Sequence, residues 1–198
     1  MNRTRLLLSS LFAVCCLSTA AWADDAKPPA NQSEVDVNLT AGTWLDIEKI
    51  VAKNADARTG KLVIVDVWST SCGPCMEEFP HLLELQTKYP QQVLCVSLNI
   101  DYIGIKSKPP EFYRPRVETF LTAQKSTIAN YLCTTESDEF FDALKLNSIP
   151  AVYVFGADGK LAKRFDDSLI QPGSDESFSY KKHINPFVAD LLAKSATK

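Results

Sequence analysis

The chain has no block of lysine or arginine anywhere in its 198 residues, and its formal net charge is −3. That balance argues against a nucleic-acid surface, which needs clustered positive charge to meet phosphates. Long apolar runs are absent after the extreme N-terminus, so no later segment is suited to span a bilayer. Internal repeats are absent too. Cysteine is sparse: six in all, of which Cys15 and Cys16 fall inside the N-terminal apolar run. The other four, Cys72, Cys75, Cys95 and Cys133, are too few for disulfides to replace a core in a domain of this length. Histidine occurs only as His81 and His183. Both read as surface residues, and no second paired motif completes the four-ligand set of a structural zinc site.

The N-terminus reads as a signal peptide over residues 1–23. Arg3 and Arg5 form a positive start, and residues 6–20 form an apolar core broken by Ser9, Ser10 and Ser18. Ala21-Trp22-Ala23 then supplies a small-x-small cleavage pattern, which makes Asp24 the expected new N-terminus. An uncleaved anchor is the alternative, although the run falls short of the ~20 apolar residues of a spanning helix. Lipidation at Cys15 or Cys16 is a further one, with Val14 and Cys15 unfavourable as preceding residues. Residues 24–34 are polar, contain Pro28 and Pro29, and read as a flexible tether to one domain over 35–198. Export places the chain where disulfides persist, with the periplasm as the expected compartment and no stable membrane insertion after cleavage.

Along that domain, alternation at Val35, Val37 and Leu39 predicts a short strand. Thr43 with Asp46 predicts a capped helix start. Residues 61–68 are apolar and β-branched, as in a strand buried on both faces. A helix follows over 74–89, with Phe79, Leu82, Leu83 and Gln86 inward and a kink at Pro80. Strands are expected at 93–100, 128–133, 151–155 and 161–165, the last two joined by the turn Ala157-Asp158-Gly159. Further helices are expected at 116–124, 138–146 and 181–194, the last interrupted near Pro186. The proline-rich stretch 101–115 and the polar stretch 166–180 read as loops. The order β-α-β-α-β-α-β-α-β-β-α implies an α/β sandwich around a mixed sheet.

The chemistry concentrates in Asp66-Val67-Trp68-Ser69-Thr70-Ser71-Cys72-Gly73-Pro74-Cys75. Two cysteines at this spacing can close a disulfide within one helical turn. Cys72 would sit at a helix N-terminus, where partial positive charge stabilises a thiolate, with Cys75 as the buried resolving thiol. Half a zinc site or a structural disulfide are the alternatives. Asp66, inside an apolar strand, is a candidate proton acceptor, because burial raises a carboxyl pKa toward neutrality. The alternative is a strand-end aspartate bonded to a turn. Glu78, one turn beyond Cys75, is a candidate for tuning the thiols, or else a solvated carboxylate; Glu77 reads as solvated. Ile149-Pro150, opening a strand, is a candidate cis peptide that would present the Ile149 backbone to an extended substrate. Cys95 and Cys133 read as small core residues, with a second disulfide between them as the alternative. Phe79, Phe140 and Phe141 read as core.

These residues resemble the thioredoxin superfamily, and within it the exported TlpA/ResA-like branch. The resemblance spans residues 35–194. It implies a thioredoxin-like three-layer sandwich with a central mixed sheet and an inserted helix-strand unit at about 116–134. Trp68, Cys72, Gly73, Pro74 and Cys75 match the signature, Asp66 the buried acid, Pro80 the kink proline, Ile149-Pro150 the cis-proline and Glu78 the glutamate near the thiols. The implied activity is thiol-disulfide exchange with protein disulfides, without metal or organic cofactor. A membrane thiol-disulfide reductase is the implied electron donor. Trp68, Gly73, Pro74, Ile149 and Pro150 are the implied substrate-binding residues. The motif resembles reducing members, with a net oxidant or isomerase as the alternative. A Cu(I) metallochaperone on the same fold is a reading of another class. Two features depart from the pattern: Ser71 stands where an aromatic is usual, and the 101–115 loop is long and proline-rich.

Overall fold

The computed structural model describes residues 37–56, 60–166 and 178–196. The expected signal peptide and the tether, with Val35, lie outside them. Six strands form one sheet in the order β1-β4-β3-β2-β5-β6. They are β1 (Leu39–Gly42), β2 (Leu62–Trp68), β3 (Val93–Asn99), β4 (Ala129–Cys133), β5 (Ala151–Phe155) and β6 (Leu161–Phe165). The first four in spatial order, β1, β4, β3 and β2, run parallel; β5 runs antiparallel to β2, and β6 to β5.

Five α-helices cover the two faces: α1 (Trp44–Lys53), α2 (Gly73–Lys88), α3 (Pro110–Ala123), α4 (Ser137–Leu144) and α5 (Asn185–Ala196). Strand alternation sorts the core into two halves. Leu62, Ile64 and Trp68 of β2 join Phe79, Leu82 and Leu85 of α2, Val117 and Leu121 of α3, and Val188 of α5. Val63, Val65 and Val67 join Ile47 and Val51 of α1 and Phe140 of α4 on the other face. A mixed sheet between two helical layers is the three-layer sandwich expected from the element order.

Local chemistry explains most boundaries. Thr43 caps α1 with Asp46, whose carboxylate accepts from the Thr43 N–H at 2.9 Å. All seven residues of β2 are buried, as its unbroken apolar run demands. Four expectations need correction. The stretch 101–115 is not wholly loop, because α3 begins at Pro110, after Pro109 as its cap. Proline at the first helical position costs no hydrogen bond, so these prolines start the helix instead of excluding it; Pro115 lies within it. The first strand sits at Leu39–Gly42, later than the alternation suggested, because there it pairs with 130–133 of β4. Leu85 is buried on α2 where Leu83 and Gln86 were expected; both of these are half-buried, and Gln86 bonds β3 through the Cys95 N–H at 2.8 Å. The closing helix begins as a π-helical turn, Tyr180–Ile184, before α5. Residues 167–177 of the expected polar loop lie outside the described residues, but Phe178 and Tyr180 beside them are core.

Candidate active site

β2 leaves the sheet at Trp68, the chain turns through Ser69–Ser71, and α2 starts at once. Cys72 is the N-cap of α2, with Pro74 in its first turn. The Cys75 N–H donates to Cys72 Sγ at 3.2 Å, so the sulfur stands against the unpaired N–H groups of a helix start. Cys72 and Cys75 form a disulfide, with Cα atoms 5.3 Å apart. Cys75 is buried at 2% exposure, whereas Cys72 is only half-buried. One sulfur therefore faces solvent and the other faces the core. Ile149-Pro150 is cis, and the Ile149 carbonyl oxygen lies 3.8 Å from Cys72 Sγ. That is a contact and not a hydrogen bond, since the oxidised sulfur carries no proton.

Beneath the disulfide, Asp66 projects from β2 on the face of Ile64 and Trp68, the face that Cys75 packs against. It is buried at 2% exposure. Its Oδ2 accepts from the Tyr180 hydroxyl at 2.7 Å, while its Oδ1 has no partner. Burial pushes its carboxyl up to about 7; the Tyr180 hydrogen bond opposes this and the nearby Glu78 charge adds to it. Glu78 is half-buried, and its Oε2 accepts from the Tyr180 backbone N–H at 2.8 Å. One residue, fully buried in the π-helical turn before α5, thus touches both acids. The thiol of Cys95 is held up by burial and by Asp66. Cys95 and Cys133 are both buried and free, so they are core residues and not a second disulfide.

Outside the disulfide, Asp101 follows β3 and is buried at 2% exposure. It accepts from Ser69 Oγ at 2.5 Å, the Thr70 N–H at 2.8 Å, Thr70 Oγ1 at 2.6 Å and Arg116 Nε at 2.8 Å. Ser69 and Thr70, two of the three residues leading into Cys72, are thereby tied to the end of the neighbouring strand. Ser71, where an aromatic is usual, lies 2.8 Å from Ser69 through their hydroxyls.

The fold brings Cys72, Cys75 and the cis Ile149-Pro150 together at one helix start, and joins Asp66 and Glu78 through Tyr180. Gly73 and Pro74 are exposed beside Cys72. Trp68 is wholly buried against Phe79 and Phe120, at ring separations of 5.1 and 4.8 Å. It offers no surface to a substrate, which corrects its expected place among the contact residues. Sequence reasoning missed Tyr180, Asp101 and Arg116. Asp101 carried a usable signal, an acid directly after an apolar strand beside Ile100. Tyr180 carried none, because its partner is 114 residues away.

A six-stranded mixed sheet with a disulfide-closing Cys-x-x-Cys at the N-terminus of α2 has known counterparts. A solution structure of a thioredoxin-like protein in its oxidised form superposes with a TM-score of 0.51 at 21% identity, covering 68% of this chain and 79% of that one. The thiol-disulfide oxidoreductase ResA of Geobacillus thermodenitrificans is 23% identical over 164 residues, which is 82% of this chain and 87% of that protein. The chain has a thioredoxin-like fold. No family model matches it. As in the expected insertion, α3 and β4 stand between β3 and α4 of this thioredoxin-like fold. Among the described residues no helix is long and apolar enough to cross a membrane, and no three His, Cys, Asp or Glu side chains converge as metal ligands.

Proposed function

We propose that this protein is a thiol-disulfide oxidoreductase, exported and acting as a reductant of protein disulfides. In the reduced protein, the Cys72 thiolate attacks a substrate disulfide. A Cys72–substrate sulfur bond forms, the substrate disulfide breaks, and one substrate sulfur leaves and takes up a proton. Cys75 then passes its proton to Asp66 and attacks Cys72 Sγ. The mixed disulfide breaks, the second substrate sulfur leaves as a thiol, and the Cys72–Cys75 disulfide remains. Two electrons have moved from the protein to its substrate. A membrane thiol-disulfide reductase returns two electrons and two protons. The Ile149 carbonyl, beside the attacking sulfur, accepts a main-chain N–H of the extended substrate.

The observation that carries this reading is the asymmetry of the pair: Cys72 is half-exposed at a helix start, while Cys75 is buried on the face that carries Asp66. An acid that titrates at about 7 takes and returns a proton near neutrality. Glu78 and Tyr180 act as positioning residues, Tyr180 by donating to Asp66 and Glu78 by holding the Tyr180 backbone. Direction follows from charge. The helix start favours the Cys72 thiolate, whereas Asp66 and Glu78 oppose it, and strong thiolate stabilisation is what makes an oxidant.

Equilibrium titration of the Cys72–Cys75 couple against glutathione or dithiothreitol tests this. The expected potential is near the −270 mV that is typical of thioredoxin, roughly. A value above about −180 mV, the level of protein disulfide isomerase, overturns the reductant reading in favour of an oxidant or isomerase.

A further inference from the structure

A groove of about 560 Å³ opens beside Cys72 and Ile149 and reaches Ile103, Lys108, Phe112 and Arg116. Its far wall is the segment joining β3 to α3, with the first turns of α3. Exposed apolar surface concentrates there. Of the five large apolar side chains standing exposed among the described residues, Ile103, Ile105 and Phe112 belong to this one segment. Single exposed apolar residues are ordinary, but a cluster beside a reactive sulfur is a contact surface.

The wall is built before any substrate arrives. The Tyr102 carbonyl accepts from the Ser137 N–H at 2.8 Å, and the Ile105 carbonyl from the Lys108 N–H at 2.8 Å. Gly104, at φ +75°, turns the chain so close to Glu136 that a Cβ would lie 2.6 Å from that side chain. A preformed wall leaves less ordering cost to binding.

The groove lining is also basic on balance, with Lys108 and Arg116 against Asp101. Lys108 Nζ stands 5.2 Å from the Phe112 ring centre, and the Arg116 guanidinium 4.9 Å from that of Tyr113. Asp101 is the one acid lining the groove, and it is buried with four donors already on it. Arg116 commits its Nε to that acid, while Lys108 has no carboxylate partner among the described residues. A chain of net charge −3 therefore sets positive charge next to its exposed sulfur.

We propose that this groove selects protein disulfides whose reacting cysteine is flanked by an acidic and an apolar residue. The apolar side chain covers Ile103 and Phe112, and the carboxylate meets Lys108 and the outer edge of Arg116. The inference rests on the reductase reading and names the substrate class for it.

Single-turnover reduction tests it, with the full-length protein reduced beforehand and freed of reductant. Three substrates are compared: a disulfide-closed peptide with Glu and Leu beside its cysteine, the same peptide with Lys in place of Glu, and hydroxyethyl disulfide, which is small and uncharged. The Glu peptide should react roughly threefold to tenfold faster than the Lys peptide at low salt, and the ratio should shrink toward one at about 1 M salt. Lys108→Glu should abolish or invert the ratio, whereas Lys88→Glu, the same charge change elsewhere on the surface, should keep it. Equal rates for the two peptides, with hydroxyethyl disulfide still reduced, overturn this proposal and leave the reductase reading standing. Failure on all three substrates overturns both.

Discussion

Two aspartates flank the disulfide at equal depth, and their surroundings differ in almost every other respect. Asp66 and Asp101 are each 2% exposed. Asp101 is ringed by two hydroxyls, a backbone N–H and a guanidinium, whereas Asp66 has one hydroxyl and an oxygen with no partner. Depth alone therefore does not decide what a buried carboxyl does. A ring of donors turns one into a fastener for the loop that leads into Cys72. Near-isolation leaves the other with its proton loosely held at about neutral pH.

The comparison assigns Cys72 to the outer side and Cys75 to the inner, and exchanging either thiol for a hydroxyl tests that assignment most severely. Cys72→Ser should abolish reduction of a protein disulfide such as insulin, while Cys75→Ser should accumulate mixed disulfides visible on non-reducing gels. Wild-type turnover by the Cys72→Ser protein would refute the mechanism.

The same substitution at the two acids should move stability in opposite directions. Asp101→Asn weakens the bond to Arg116 and leaves one hydroxyl or N–H without an acceptor, so we expect a loss of about 2–3 kcal/mol in urea unfolding. For Asp66 the sign reverses. Its folded carboxyl titrates near 7 against 3.8 for an ordinary aspartate, so between these values the unfolded chain gives up a proton that the folded chain keeps. Stability then falls as pH rises through that window. Asp66→Asn keeps an acceptor for Tyr180 and removes the slope, so the variant should gain about 1–3 kcal/mol over wild type at about pH 8 and almost nothing at about pH 4. It should also slow release of the mixed disulfide by Cys75. Losses of equal size at both aspartates would dissolve the distinction between them.

Tyr180→Phe should have the smallest effect and be the most diagnostic. It removes a single hydrogen bond, worth about 1 kcal/mol, and leaves Asp66 harder to ionise. The pH-rate profile of the resolving step should move to higher pH by less than about one unit, with the rate on its upper plateau little changed. A profile that stays in place would reduce Tyr180 to a packing residue.

What was legible in the chain was local. The apolar run of β2, the Cys-Gly-Pro-Cys step into α2 and the Thr43–Asp46 cap each declare themselves within a few residues. The acid inside β2 was conspicuous for the same reason, since a charge among β-branched neighbours stands out at short range. Prolines misled, because Pro109, Pro110 and Pro115 read alike whether they prevent a helix or open one. The partners of the two aspartates stayed hidden. Arg116 is 15 residues from Asp101 and Tyr180 is 114 from Asp66, and no spacing rule connects such positions.

Tyr180 also fixes when the site becomes complete. A chain emerging N-terminus first lays down the sheet, both thiols and both aspartates before this residue appears. Until the segment carrying Tyr180 docks, Asp66 lacks the one hydrogen-bond donor it has among the described residues, and Glu78 has no backbone N–H from Tyr180 to hold. The dithiol can thus meet oxidants while its proton relay is still unassembled. Cutting the chain before Tyr180 should therefore impair a centre that lies more than a hundred residues upstream.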